Sequence, residues 1–260
     1  MSRGTEGRAR SWVVPVSRTA ATLLVVGVLL FGVLLGLGWL LTHVEPGTGV
    51  GAADVGVLRW LVAHRVPALD AVSLYAANLA STTMVLVSGA VAGVAAALAL
   101  RRGWPLVMLV IALVGELVLF LNAAILVGRP RPPVPHLDAA LPPTSSFPSG
   151  HTAAAICLYG GVAVIVLRVV RAWWRWLVLA AALLVVVAVA VARLYRGAHY
   201  PTDVLGSVLF AVPWLVVASK VCGPSRPGRR LRAGQPGQEA APRPAAAEGL
   251  DATVRPVEHR

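Results

Sequence analysis

Six apolar runs constrain this chain more than any other feature of it: residues 20–41, 81–100, 104–127, 152–167, 176–192 and 202–219. A helix needs about 20 predominantly apolar residues to cross the hydrocarbon of a bilayer, and runs of this length read as membrane helices. The fourth run extends upstream to Ser149-Gly150-His151. Charged residues make up only 13% of the chain, against about 25% in a soluble domain that must cover its core with a polar face. Most segments therefore have no water-facing side, which excludes a soluble globular enzyme. The expected fold class is an all-α polytopic membrane protein with six transmembrane helices.

The segments between and around the runs complete the layout. The first run follows Arg3, Arg8, Arg10 and Arg18, as a signal peptide would. It is too long for a cleavable one, whose apolar core spans about 7–15 residues, and we expect a retained helix. Residues 47–80 carry Asp54, Arg59, His64, Arg65 and Asp70; they suit interfacial helices broken near Pro67. From Gly223 onward the chain is rich in Pro, Gly, Ala and Arg without periodicity, the composition of a disordered tail. The expected divisions are a cytoplasmic segment 1–19, a six-helix membrane domain 20–222 and a disordered basic cytoplasmic tail 223–260.

A net charge of +12 invites a nucleic-acid reading, and its distribution refutes that. If the six runs cross in alternation, the side of the N-terminus holds nine basic residues up to Arg175 and eight from Lys220 to Arg260, against six on the other side. Counted near span ends, Lys and Arg mark the cytoplasm. Both termini are then expected to be cytoplasmic, in the plasma (inner) membrane. Trp104, Trp173, Trp174 and Trp176 fall at the same edge, as aromatic belts do. The membrane lipids are implied partners, nucleic acid is not, and protein partners stay open. Two cysteines, Cys157 and Cys222, make neither a disulfide framework nor a metal knuckle.

The outward arginines oppose this trend, and four of the six crowd into two places. One is Gly128-Arg129-Pro130-Arg131-Pro132; the other is Arg193-Leu194-Tyr195-Arg196-Gly197-Ala198-His199. Between them comes Phe147-Pro148-Ser149-Gly150-His151, which opens the fourth helix. All three emerge on one side, a phosphate site in outline. Arginine stays charged and offers a planar fork to phosphate oxygens, so Arg129 and Arg193 are natural clamps. Ser149, Gly150 and the next N–H groups sit at a helix start, where free donors and the dipole favour an anion. Asp203, four residues after His199, can hold one imidazole nitrogen and leave the other facing phosphorus. His151 can protonate the leaving oxygen.

These residues resemble the signature of the type 2 phosphatidic acid phosphatases, integral membrane lipid phosphatases that share an active site with vanadium haloperoxidases and acid phosphatases. The signature reads Lys-x6-Arg-Pro, Pro-Ser-Gly-His, then Ser-Arg-x5-His-x3-Asp. Arg129-Pro130, Pro148-Ser149-Gly150-His151 and Arg193-x5-His199-x3-Asp203 match it in order and spacing. Two positions depart from it: Asn122 stands where a lysine is expected and Ala192 where a serine is. The resemblance implies a haloperoxidase-like helical bundle with an extracytoplasmic, metal-independent and cofactor-free active site. It implies that His199 attacks phosphorus to form a phosphohistidine, that Asp203 orients it and that His151 serves as acid and then base. Arg129, Arg193, Ser149 and Gly150 would hold the phosphate, with Arg131, Arg196 and Asn122 as further candidates. The substrate would be a lipid phosphate or diphosphate: polyprenyl diphosphate, phosphatidic acid or phosphatidylglycerol phosphate. A phosphotransferase using the same site is the alternative, as is a non-catalytic binder of lipid phosphates, which the loss of a cation at Asn122 would favour.

Other polar residues have plainer readings. Glu116 sits within the third run, where an ionisable group is a functional hypothesis by default; a protonated Glu116 bonded to a neighbouring helix is the expectation. His43, His64 and His136 read as loop and interface residues. Gly32-x3-Gly36 offers a packing seam, and Cys157 a small core position.

Overall fold

The computed structural model describes residues 16–43, 47–138, 141 and 145–222. The expected segments 1–19, in its first fifteen residues, and 223–260 lie outside the described residues. Eight helices account for the described chain, and no strand occurs among these residues. They are α1 (Val16–Thr42), α2 (Gly49–Ala63), α3 (Pro67–Asn78), α4 (Thr82–Leu100), α5 (Trp104–Val127), α6 (Gly150–Val169), α7 (Arg175–Tyr195) and α8 (Pro201–Cys222). Among the described residues, α1, α4, α5, α6, α7 and α8 are long and apolar enough to cross a membrane. The chain is thus an all-α integral membrane protein. Each apolar run of the sequence became one of these helices, with ends displaced by four residues or fewer.

Local chemistry sets the helix ends. Pro105 enters α5 in its first turn, where a missing N–H costs nothing. Gly128 closes α5 in the left-handed region with φ 64°, a geometry that glycine adopts without a Cβ penalty. The prolines at 130 and 132 then prevent the helix from resuming. The less apolar stretch folds as the short helices α2 and α3, with Pro67 in the first turn of α3.

Burial sorts the six long helices. Half of the most apolar window of α6 is buried, against 6% for α1, so α6 is central and α1 peripheral. The main core joins Leu34, Leu119, Phe147, Phe210, Trp214 and Cys157, and the plain reading of Cys157 holds. Trp214 lies on Gly115 and donates its indole N–H to the Ala112 carbonyl at 3.1 Å, fastening α8 to α5. The seam expected at Gly32 and Gly36 does not form, since both face open space; α1 instead packs through Gly38, against Val127 and Phe147. Outward Leu and Val side chains such as Leu24, Val28, Leu98 and Leu184 are more than half exposed, as lipid-facing positions are.

The helix ends gather by chemistry. At one end Arg168 lies over the Trp104 ring at 6.0 Å and Arg175 over Trp176 at 5.0 Å, an aromatic and basic rim. The other end collects the C-termini of α5 and α7, the N-termini of α6 and α8, and the helices α2 and α3. Arg65 ties that end together, donating to the Tyr195 carbonyl at 2.7 Å and the Pro135 carbonyl at 2.9 Å.

Candidate active site

The polar end takes its form from how the chain leaves α5 and returns to α6. The Arg129 N–H donates to Ser145 Oγ at 3.0 Å, and the Ser146 N–H donates back to the Arg129 carbonyl at 2.8 Å. The next residue, Phe147, is fully buried in the main core. This zipper presents the Ser146 carbonyl to the turn between α7 and α8, which carries His199.

His199 is the best-defined group of the site. Its Nδ1 lies 2.6 Å from the Ser146 carbonyl oxygen. A carbonyl only accepts, so Nδ1 carries the proton and the neutral ring keeps its lone pair on Nε2. Burial lowers the His199 pKa below the ordinary 6.5; Asp203 opposes that shift, and Arg193 and Arg131 add to it. The Asp203 carboxylate stands 3.7 Å from Nδ1, within ion-pair range but too far for a hydrogen bond. Fully buried, it accepts from the Tyr200 N–H at 2.8 Å and from Arg129 at 2.5 Å. Asp203 therefore fixes the turn that holds His199, while a backbone carbonyl sets the ring's tautomer.

A cavity of about 340 Å³ opens beside this ring. Its polar part is made by Arg131, Ser145, Gly150, His151, Arg193 and His199. Arg131 lies 3.5 Å from His199 Nε2 and donates to the Ala198 carbonyl at 2.8 Å. The Nε atoms of Arg131 and Arg193 are buried without a hydrogen-bond partner, two donors of fixed positive charge beside one imidazole lone pair. Gly150 admits the close approach: a Cβ there would stand 2.7 Å from the Phe120 ring. Imidazole lone pair, second histidine and paired guanidiniums are the parts that phosphoryl transfer to nitrogen requires.

Of the residues singled out from sequence, His199, His151, Arg193, Gly150 and Arg131 meet in this cavity, and Asp203 backs it. Four others do not line it. Arg129, 5% exposed, is occupied by Asp203, by Asp54 at 3.1 Å, by Thr202 Oγ1 at 2.8 Å and by the face of Tyr200 at 4.1 Å. Ser149 is fully buried, with its hydroxyl against Thr152 Oγ1 at 3.0 Å. Arg196 reaches Asp138 at 2.6 Å and Ser73 at 3.2 Å instead. Asn122 bonds the Val118 carbonyl at 2.8 Å and faces a separate apolar cavity beside α1.

Sequence reading missed three supports. Asp54 of α2, 3% exposed, accepts from Arg129 and from both the N–H and the hydroxyl of Thr202. Asp138, solitary in sequence, bridges Arg193 at 3.0 Å and Arg196 at 2.6 Å. The Ser146 carbonyl leaves no trace in a side-chain motif. No spacing in the sequence singles out Asp54 from Asp70 or ties Asp138 to the arginines.

The model of the PAP2 superfamily matches residues 102–225, the segment that carries every residue of this cavity except Ala80 and its α4 wall. The whole bundle is similar to the crystal structure of the first transmembrane PAP2 type phosphatidylglycerolphosphate phosphatase from Bacillus subtilis. The TM-score is 0.65 at 24% identity, covering 75% of this chain and 94% of that one. No curated protein matches the chain. Arg129, expected from sequence as a phosphate clamp, is engaged by Asp203 and Asp54 instead. The arginine on the cavity is Arg131, and the residue seven before it is Ala124, buried in helix packing.

Proposed function

We propose that this PAP2 superfamily protein is a membrane lipid phosphatase that hydrolyses a lipid phosphomonoester or diphosphate through a phosphohistidine at His199. The observation that carries the proposal is the Nδ1–H tautomer of His199, with Nε2 beside Arg131, Arg193 and His151 at the polar end of a largely apolar cavity.

In the first step His199 Nε2 attacks phosphorus and the bond to the lipid oxygen breaks, that oxygen taking a proton from His151. In the second a water attacks the phosphohistidine, His151 receives the water's proton, and inorganic phosphate departs with His199 restored. Arg131 and Arg193 hold the phosphoryl oxygens, and the Gly150 N–H at the start of α6 adds a donor. Asp203 and Arg129 position the His199 turn. The charge that builds on the phosphoryl group is met by fixed guanidiniums, so no metal is needed. The arginine distribution supports an extracytoplasmic site, which a lipid of the outer leaflet would reach without leaving the membrane.

The test is phosphate release by purified protein from phosphatidic acid, phosphatidylglycerol phosphate and polyprenyl diphosphate. Release from at least one, abolished by His199→Ala with expression unchanged, is the expected result. Binding of those lipids with no release from any of them would replace the enzyme by a binding protein.

A further inference from the structure

The same cavity holds a buried acid that the chemistry above leaves unused. Glu116, 3% exposed, stands in the cavity wall, and its carboxyl has no hydrogen-bond partner among the described residues. Around it the wall is hydrocarbon, including Val85, Leu113 and Leu117. A carboxyl group in such surroundings is costly unless something pairs with it. The neighbouring-helix bond expected from sequence does not form.

Its depth indicates what could pair with it. Phe120 covers Gly150 at the phosphate end, and Glu116 lies one helical turn farther from that end, about 6 Å along α5. A lipid whose phosphate sits on Arg131 and Arg193 places there the atoms a few bonds from phosphorus. In a glycerol-based lipid those are the ester carbonyls, which accept hydrogen bonds. In a polyprenyl phosphate they are hydrocarbon only. An ionised carboxylate would repel a carbonyl oxygen, whereas the acid form donates to it.

We propose that Glu116 is a specificity-determining residue that donates a hydrogen bond to a glycerol ester carbonyl and so selects diacylglycerol phosphates over polyprenyl phosphates. The inference rests on the phosphatase reading for its placement of the phosphate. Site polar groups left unpaired by the wrong substrate are a strong source of discrimination.

The experiment compares full-length protein with its Glu116→Leu and Glu116→Gln variants on three substrates: diester phosphatidic acid, its diether counterpart without carbonyls, and a polyprenyl phosphate. Glu116→Leu is expected to lower kcat/KM for the diester about tenfold, mainly through KM. It should not lower the rate on the diether or the polyprenyl phosphate, which gain from losing an unpaired carboxyl, and Glu116→Gln, which keeps a donor, should retain most of the diester rate. Equal losses on all three substrates, or no loss on the diester, would overturn the inference. A parallel measurement of binding in the His199→Ala background separates it from the enzyme reading. Tighter binding of diester than diether that disappears with Glu116→Leu upholds the role of Glu116 even if no substrate is hydrolysed. Absence of that difference overturns it even if the protein is an active phosphatase.

Discussion

Asp54 is the residue whose removal best tests how the site is held. It brings α2 onto the start of α8 with three bonds: to Arg129 at 3.1 Å, to the Thr202 N–H at 3.1 Å and to the Thr202 hydroxyl at 2.5 Å. Removing one partner of a buried ion pair costs about 3–5 kcal/mol. Arg129 keeps Asp203 and Thr202, which places Asp54→Ala at the lower end, about 3 kcal/mol. For a domain of this size about 1 kcal/mol moves the melting temperature by 2–4 °C, so a drop of about 6–12 °C is expected. Asp54→Asn keeps one accepting oxygen and loses only charge-assisted bonding, about 1–2 kcal/mol. The His199 turn loosens through Arg129 and Asp203, and we expect turnover to fall about tenfold for Ala, with part of it regained in Asn. Thermal unfolding in detergent and phosphate release at a temperature where all variants are folded provide the two readouts. An Ala variant melting within about 1 °C of the parent, with unchanged turnover, would refute the network as a support of the site.

Further outcomes follow from the same geometry. Arg131→Ala should lower kcat/KM about a hundredfold with little change in melting temperature, whereas Arg129→Ala should act chiefly on stability, because its guanidinium is spent on Asp203 and Asp54; paired melting and rate measurements separate them. Asn122→Lys should leave phosphate release unchanged, since Asn122 faces a different cavity. Burial depresses the His199 pKa below 6.5, so Nε2 stays unprotonated and the acid limb of the kcat/KM profile falls below that value. The same depression means that the unfolded chain takes up a proton which the native one refuses, so His199 lowers stability only as pH drops below 6.5. Turnover should persist in chelator and be blocked by vanadate, measured by phosphate release; strict dependence on Mg²⁺ would contradict the mechanism.

The membrane architecture was legible because burial in lipid writes itself directly into composition: each apolar run is a helix, and Gly128 and Pro130 mark where α5 ends. His199, His151, Arg193 and Gly150 were legible because their spacing survives in one dimension. Spacing pointed to Arg129-Pro130 as the clamp, two residues from the Arg131 that lines the cavity. Which arginine points into the cavity depends on the zipper between Arg129 and the Ser145–Ser146 backbone. Ser149 sits within the motif, yet its hydroxyl turns to Thr152. Asp54 and Asp138 were invisible for a different reason: their partners lie 55 to 148 positions away in sequence, and each acid looks solvated until the fold closes over it.

The most direct measurement is to quench turnover of a phosphate-labelled lipid and map the label. The account predicts an acid-labile, base-stable phosphohistidine on the peptide that carries His199, absent from His199→Ala. Label on another residue, or phosphate release that survives His199→Ala, would contradict it.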